Sequence, residues 1–149
     1  MEYLSGLYGK MFVTYRKGEI AQLKVQQRAA ELGVLVSKPT TEARYDLVLD
    51  FGSRIERAQV KYAGALENHG SVGLDLRKQT RNHGPVRAYS ALEIDAVYVY
   101  VAPVDEVVRL GPELFDGVKR IYFRWLPAKR TNQRKALNVH EHVWRPATY

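Results

Sequence analysis

The sequence predicts an α/β domain whose sheet mixes parallel and antiparallel strands. One long amphipathic segment, residues 18–32, precedes a series of short β-rich segments, and this order is typical of α/β domains rather than of helical bundles. The chain has 149 residues, which is enough for one sizeable core and too short for two ordinary domains. We therefore expect a single domain over residues 1–149.

The predicted elements have recognisable ends along the chain. The helix at 18–32 carries apolar residues at near-helical spacing, and Gly33 stands just beyond its last turn. Strands at 46–50 and 55–62 flank a Gly-Ser turn and predict an antiparallel hairpin. The remaining predictions are strands at 34–36, 72–76 and 121–126, a buried central strand at 96–101 with a hairpin partner at 106–109, and a helical turn at 112–115.

The composition is that of a folded, basic protein. With 46% hydrophobic and 26% charged residues, disordered and collagen-like classes are excluded. The absence of cysteine excludes a disulfide framework, a thiol nucleophile and a thiolate metal site. No apolar run approaches the roughly 20 residues that span a bilayer, and the first residues lack a secretory signal pattern. We expect a cytoplasmic protein with no membrane partner.

The net charge of +7 is unevenly distributed. Residues 109–149 hold nine Lys and Arg against three Asp and Glu, and an acid-free basic patch lies at 77–87. A smaller basic cluster, including Arg16 and Lys17, stands near the predicted helix. These basic segments flank a central part of the chain in which positive and negative residues are nearly balanced. This distribution suits a protein that brings a phosphate backbone to a metal site.

Polar residues on the predicted hairpin form the chemically informative cluster. Gln59 and Lys61 point to one face because strand side chains alternate, and a short hairpin can place Asp46 beside them. The Asp46 carboxylate, the Gln59 amide oxygen and the Val60 carbonyl are hard oxygen ligands suited to Mg²⁺. Lys61 would orient or help deprotonate a water and offset charge that develops on a phosphate.

Two residues of the predicted helix are further candidates for this site. Glu19 and Gln22 lie three positions apart and therefore on one helix face, from which either can reach the same spot. Glu19 would add a carboxylate to the metal ligands, and Gln22 would add an amide.

Asp46, followed after a hairpin by Gln59-Val60-Lys61, resembles the motif of the PD-(D/E)XK nuclease superfamily, with Gln in place of the usual acidic residue. The resemblance extends to one branch, the group I intron-associated homing endonucleases of the cyanobacterial type, whose motif likewise has Gln before Val-Lys. The segments that carry it, in order, are Lys17-Gly18-Glu19-Ile20-Ala21, Tyr45-Asp46-Leu47, Gln59-Val60-Lys61, Glu93-Ile94-Asp95-Ala96 and Asn132-Gln133.

The resemblance implies a restriction-endonuclease-like core, a mixed β-sheet flanked by helices. It further implies a Mg²⁺-dependent, site-specific endonuclease that cuts double-stranded DNA, accepts Mn²⁺, and acts as a homodimer or homotetramer in a bacterial or phage-like context. Two positions depart from the family pattern. Tyr45 stands where the family has Pro, and the family commonly has a helix carboxylate near Gln22, whereas Glu19 lies one turn earlier.

Two basic segments, about 77–87 and 129–135, have the chemistry of DNA contacts. Arg pairs with guanine, and Asn and Gln pair with adenine, in the major groove. The candidate DNA-binding residues are Arg16, Lys17, Arg77, Lys78, Gln79, Arg81, Asn82, Arg87, Lys129, Arg130, Asn132, Gln133, Arg134 and Lys135.

Two alternative functions stay open on the sequence alone. A Holliday-junction resolvase uses the same fold and differs only in its substrate. A non-catalytic DNA-binding protein on a decayed nuclease fold is the other alternative, and Gln22, which stands where a carboxylate is common, argues for it.

Overall fold

Three sheets and one long helix make up the part of the chain that the computed structural model describes, residues 13–64, 70–79, 85–127 and 135–146. The helices are α1 (Val13–Glu31), α2 (Pro112–Phe115) and α3 (Val139–His142). The strands are β1 (Leu35–Ser37), β2 (Leu47–Asp50), β3 (Ile55–Ala63), β4 (Ser71–Asp75), β5 (Arg77–Gln79), β6 (Val86–Ala88), β7 (Ala96–Val101), β8 (Glu106–Leu110), β9 (Arg120–Arg124) and β10 (Leu137–Asn138).

The main sheet has the order β1-β2-β3-β7-β8 and is mixed, as the sequence predicts. Strands β2 and β3 form the predicted antiparallel hairpin, in which Leu47 pairs with Ala58 and Gly52 adopts a positive φ of 83° in the turn. Strand β3 runs parallel to β7, whose six residues are all buried, and β7 pairs antiparallel with β8. The apolar run at 96–101 is thus a central strand, because it pairs with a neighbour on each side, and both of its faces are covered.

Helix α1 covers one face of this sheet. It buries Ala21, Val25 and Ala29, which are spaced four residues apart, in a cluster that also contains Ala58 and Val60 of β3. The helix ends at Glu31, and Gly33 just beyond it has a φ of 72°, the left-handed conformation that glycine adopts without a steric penalty. Helix α1 therefore covers the face of the sheet that carries Ala58 and Val60.

A second apolar cluster covers the opposite face. It unites Val97, Val99 and Val101 of β7 with the inward residues of a smaller sheet of order β10-β9-β4. In the parallel pairing Gln59 lies beside Val97 and Lys61 beside Val99, so these two polar side chains share this second face.

The structure differs from the sequence prediction in three places. Helix α1 begins earlier, at Val13, because a glycine at position 18 costs a helix only about 1 kcal/mol and does not end it. The basic segment at 77–87, where the sequence favours a loop and a β-hairpin that continues the strand at 72–76, contains a separate two-stranded ribbon β5–β6, in which Lys78 pairs with Arg87. Strand β10 and helix α3 are too short to leave a periodic signal.

Within the described ranges, no helix combines the length and the hydrophobicity that crossing a membrane requires.

Candidate active site

The site lies where β3 runs past the beginning of β2. The last β2–β3 pair is Leu47 with Ala58, and the Asp46 amide donates a further hydrogen bond to the Ala58 carbonyl over 2.9 Å. Beyond this point β3 continues to Ala63, while the chain before Asp46 leaves the sheet. This edge of β3 thus offers backbone groups that β2 does not pair.

Asp46 is fixed at this edge by two hydrogen bonds to one carboxylate oxygen. Its Oδ2 accepts from the Val60 amide over 3.0 Å and from Gln59 Nε2 over 2.8 Å. The sequence prediction that a hairpin brings these residues together is therefore correct in its geometry.

Gln59 presents a buried oxygen with no partner. The residue is 4% exposed, and because an ionised carboxylate only accepts hydrogen bonds, Nε2 must face Asp46. Its Oε1 is buried and has no hydrogen-bond partner in the part of the chain that the structure describes. Buried polar atoms nearly always have a partner, so this oxygen indicates a place for a water or a cation.

The Val60 carbonyl completes a set of three oxygens. Gln59 Nε2 approaches this carbonyl only at 3.4 Å, a long contact beside the shorter one to Asp46. A carboxylate, an amide oxygen and a backbone carbonyl are the donor types of a hard divalent cation, so the residues present fit Mg²⁺. The described residues contain no group of three or more His, Asp or Glu that would form a carboxylate-rich site.

Partial burial shifts the pKa values of Asp46 and Lys61. Desolvation raises the pKa of Asp46, although the Val60 amide and the positive charges of Lys78 and Lys61 oppose this rise. Desolvation also lowers the pKa of Lys61, against the carboxylates of Asp46 and Asp75. Both shifts have the same cause, since partial burial disfavours the charged form of each group.

A groove of about 260 Å³ borders this cluster. Asp46 and Lys78 line it together with Lys38 and Tyr45. Lys78, which belongs to β5, is half-buried and donates from Nζ to the Ala43 carbonyl over 3.3 Å. One predicted DNA-binding residue thus lies at the candidate site itself.

Glu19 and Gln22 are placed apart from this cluster. Both lie on α1, which covers the sheet face opposite to Gln59 and Lys61. Glu19 is exposed and Gln22 half-buried, and among the described residues neither has a hydrogen bond or ion pair with the Asp46 cluster. Their predicted role in metal binding stays a prediction, without support from these contacts.

Three residues near the site were not found by sequence reasoning. The Lys61 ammonium lies 5.3 Å from the centroid of the Tyr89 ring, and the Arg44 guanidinium lies 5.0 Å from the same centroid. Asp75 acts electrostatically on Lys61. An acid at the end of a predicted strand was a usable signal for Asp75, whereas tertiary contacts such as those of Tyr89 leave no local pattern.

The other described DNA-binding candidates lie on the surface or beside acids. Arg77 donates from Nε and Nη2 to the two oxygens of Asp75 over 3.0 and 2.8 Å, and Arg87 forms an ion pair with Glu93. Arg16 is half-buried, and Lys17 and Lys135 are exposed. Outside the described residues lie Arg81, Asn82, Lys129, Arg130, Asn132, Gln133, Arg134 and the side chain of Gln79.

Comparisons with known proteins agree with this geometry. A solved structure, that of the bacterial homing endonuclease I-Ssp6803I, is similar with a TM-score of 0.67 and 25% sequence identity over 88% of each chain. No curated protein sequence shows a significant match. The family model described as PD-(D/E)XK endonuclease matches residues 12–144, which is most of the chain. The resemblance inferred from the Asp46 and Gln59-Val60-Lys61 motifs is thereby confirmed, and the chain belongs to the PD-(D/E)XK endonuclease family.

Proposed function

We propose that this protein is a Mg²⁺-dependent, site-specific endonuclease that hydrolyses both strands of DNA, a homing endonuclease in which Mn²⁺ can substitute. One observation carries the proposal: the buried, unpartnered Gln59 Oε1 lies beside the Asp46 carboxylate at the open edge of β3. Family membership supplies the reaction class, and the similar homing endonuclease supplies the substrate class.

Each residue of the cluster has a distinct role in this proposal. Asp46, Gln59 and Val60 hold the cation through a carboxylate, an amide and a carbonyl oxygen. Mg²⁺, when bound, lowers the pKa of water and offsets charge on a phosphate. Lys61 orients the attacking water and stabilises the charge that develops on the scissile phosphate. Glu19, or Gln22 in its place, remains a proposed additional ligand.

DNA is held by the β5–β6 ribbon next to the site. Lys78 borders the Asp46 groove, and Arg77 and Arg87 are exposed on the same ribbon. We expect phosphate contacts to supply affinity and base edges to supply specificity. A chain of this size offers a limited contact area, so a long target site requires a homodimer or homotetramer.

Cleavage of a DNA library tests this function. The parent, Asp46→Asn and Lys61→Ala are compared in Mg²⁺, Mn²⁺ or EDTA, with Asp50→Asn as the matched control. Asp50 lies on the same strand, β2, but its carboxylate accepts a hydrogen bond from the Gly52 amide in the turn, away from the Asp46 cluster. We expect the parent and Asp50→Asn to cut in either metal, and the two site variants to cut at least about 100-fold more slowly. Cutting at the parent rate by either site variant, or cutting in EDTA, would reject the assignment.

The same substrates separate the alternative functions. Four-way junctions are assayed beside linear duplexes, and faster cutting of junctions would replace the homing function with that of a resolvase. Binding with a steep salt dependence, but no cutting in any divalent metal, would indicate a non-catalytic DNA-binding protein.

A further inference from the structure

Tyr89 is a fully buried aromatic residue between two cations of the candidate site. It follows β6, has no exposed surface, and packs in the apolar cluster on the face that carries Lys61. The Lys61 ammonium and the Arg44 guanidinium lie 5.3 and 5.0 Å from the centre of its ring. Both distances fall within the roughly 6 Å over which a cation is attracted to a ring face.

Among the described residues, Lys61 makes one weak hydrogen bond, to the Arg77 carbonyl, which is 3.5 Å long and at the outer limit for such a contact. The carboxylates of Asp46 and Asp75 attract its charge without a hydrogen bond to it, and the like charges of Lys78 and Arg44 repel it. An ammonium group on a flexible four-carbon chain would take other positions without a further contact, and the Tyr89 ring supplies that contact.

The ring itself is held firmly. The Tyr89 carbonyl accepts a hydrogen bond from the Gly117 amide over 3.0 Å, which fixes the Tyr89 backbone to the turn after α2. Arg44, the second cation on the ring, donates from Nε to Glu93 over 3.1 Å and from Nη2 to the Ala88 carbonyl over 3.4 Å. Lys61 lies over the face of the ring, and among the described residues the Tyr89 hydroxyl has no hydrogen-bond partner, so the ring face makes the contact with Lys61.

We propose that Tyr89 is a positioning residue whose ring holds the Lys61 ammonium beside Asp46 in the orientation that cleavage requires. The catalytic part of this inference rests on the proposed nuclease function. The placement of the Lys61 ammonium by the Tyr89 ring is independent of that function, because this contact is made in the protein without metal. The ring is required and the hydroxyl is dispensable, so Tyr89→Phe keeps the contact with Lys61 and Tyr89→Leu loses it.

Two measurements test the inference, one of them independent of activity. In NMR spectra of the parent, the methylene protons next to the Lys61 ammonium should show an upfield ring-current shift, with the signals assigned by their loss in Lys61→Arg. Tyr89→Phe should keep this shift and Tyr89→Leu should lose it. In cleavage assays at saturating DNA, Tyr89→Phe should stay within about twofold of the parent, and Tyr89→Leu should lower kcat by about tenfold with unchanged DNA affinity.

Tyr122→Leu is the matched control because it removes a ring that contacts a cation outside the site. The Arg120 guanidinium lies 5.4 Å from the centroid of the Tyr122 ring. Unshifted Lys61 protons in the parent would overturn the proposal. So would parent-like kcat in a folded Tyr89→Leu, or a Tyr89→Phe that is as slow as Tyr89→Leu. If Tyr89→Leu does not fold, the parent and Tyr89→Phe spectra decide. A parent that never cuts DNA contradicts the nuclease function alone, and the spectra still test the placement.

Discussion

Gln59 donates a hydrogen bond from Nε2 to Oδ2 of Asp46 over 2.8 Å, and this bond determines which end of the amide faces the site. The donor is used on the carboxylate, and the buried oxygen accepts no hydrogen bond from any described residue. The usual family motif has a carboxylate at this position, which could not donate to Asp46. Gln59 therefore stabilises ionised Asp46 through its donor, and in the proposed function its oxygen is a neutral ligand for the cation.

Gln59→Glu should make the stability of the protein depend on metal. A buried carboxylate at position 59 would face the half-buried Asp46 without the Nε2 donor, so at pH 7 without metal we expect a loss of about 1–3 kcal/mol in the free energy of unfolding. Millimolar Mg²⁺ or Ca²⁺ should restore much of this loss, because the new carboxylate is a stronger ligand. Urea unfolding with and without metal measures both effects.

Gln27→Glu is the control for this substitution. Gln27 also donates from Nε2 to a carboxylate, Glu31 at 3.2 Å, but on the exposed surface of α1. It should change stability by less than about 0.5 kcal/mol. A metal-free Gln59→Glu as stable as the parent would show that the amide donor is not needed.

Glu56 should be a main determinant of stability at the other end of β3. It is 4% exposed and accepts hydrogen bonds from the Tyr98 hydroxyl over 2.7 Å and from Arg109. Burial alone would raise the pKa of Glu56, but these hydrogen bonds and the charge of Arg109 outweigh burial and lower it. Glu56→Gln removes the charge that Arg109 faces and should cost about 3 kcal/mol in urea unfolding. Exposed Glu113→Gln should cost nothing measurable, and equal stabilities of the two variants would refute this role.

Asp75 should titrate far below the usual range of a carboxyl. The side-chain hydrogen bonds from Arg77 hold the pKa of Asp75 down to about 2. Because the folded pKa is below the unfolded one, this interaction contributes stability above the unfolded pKa of about 3.9 and loses it as the pH falls towards 2. The contribution is small because the Asp75 and Arg77 side chains are 45% and 42% exposed.

NMR titration of the Asp75 carboxyl carbon measures this pKa directly. We expect a midpoint near pH 2 in the parent and in Arg87→Met, and a midpoint near the ordinary value in Arg77→Met. A parent midpoint at the ordinary value would mean that the Asp75–Arg77 pair does not form in solution.

Lys78 should contribute to DNA affinity without selecting sequence. Its position at the Asp46 groove suits contact with a phosphate, so Lys78→Gln should weaken binding equally for specific and random duplexes. The slope of log affinity against log salt should fall by about one. Lys119→Gln, an exposed lysine before β9, should leave the slope unchanged. A loss confined to one target sequence would indicate base contact instead.

The sequence predicts the central part of the site because that part depends on local spacing. A two-strand hairpin with a Gly-Ser turn fixes which residues face each other, and so Asp46 meets Gln59 as expected. The unbroken apolar run at 96–101 likewise predicts a strand buried on both faces, and β7 is one. The mixed α/β fold follows from these elements and is confirmed.

Other parts of the site depend on contacts between distant segments and leave no local signal. Glu19 and Gln22 share a helix face, but nothing in their spacing tells which side of the sheet that helix covers. Tyr89 meets Lys61 from 28 positions along the chain, through packing of the segment after β6. Strand β5 is entirely polar and strand β6, Val-Arg-Ala, has only three residues, which is too short for its alternation to be recognised.

The central claim is that the open edge of β3 binds the metal that cleavage requires. The most direct measurement is anomalous scattering from a crystal of the protein soaked in Mn²⁺. We predict one strong peak in contact with the Asp46 carboxylate, Gln59 Oε1 and the Val60 carbonyl, and no such peak in Asp46→Asn. A peak bound elsewhere, with these three oxygens free of metal, would contradict the account.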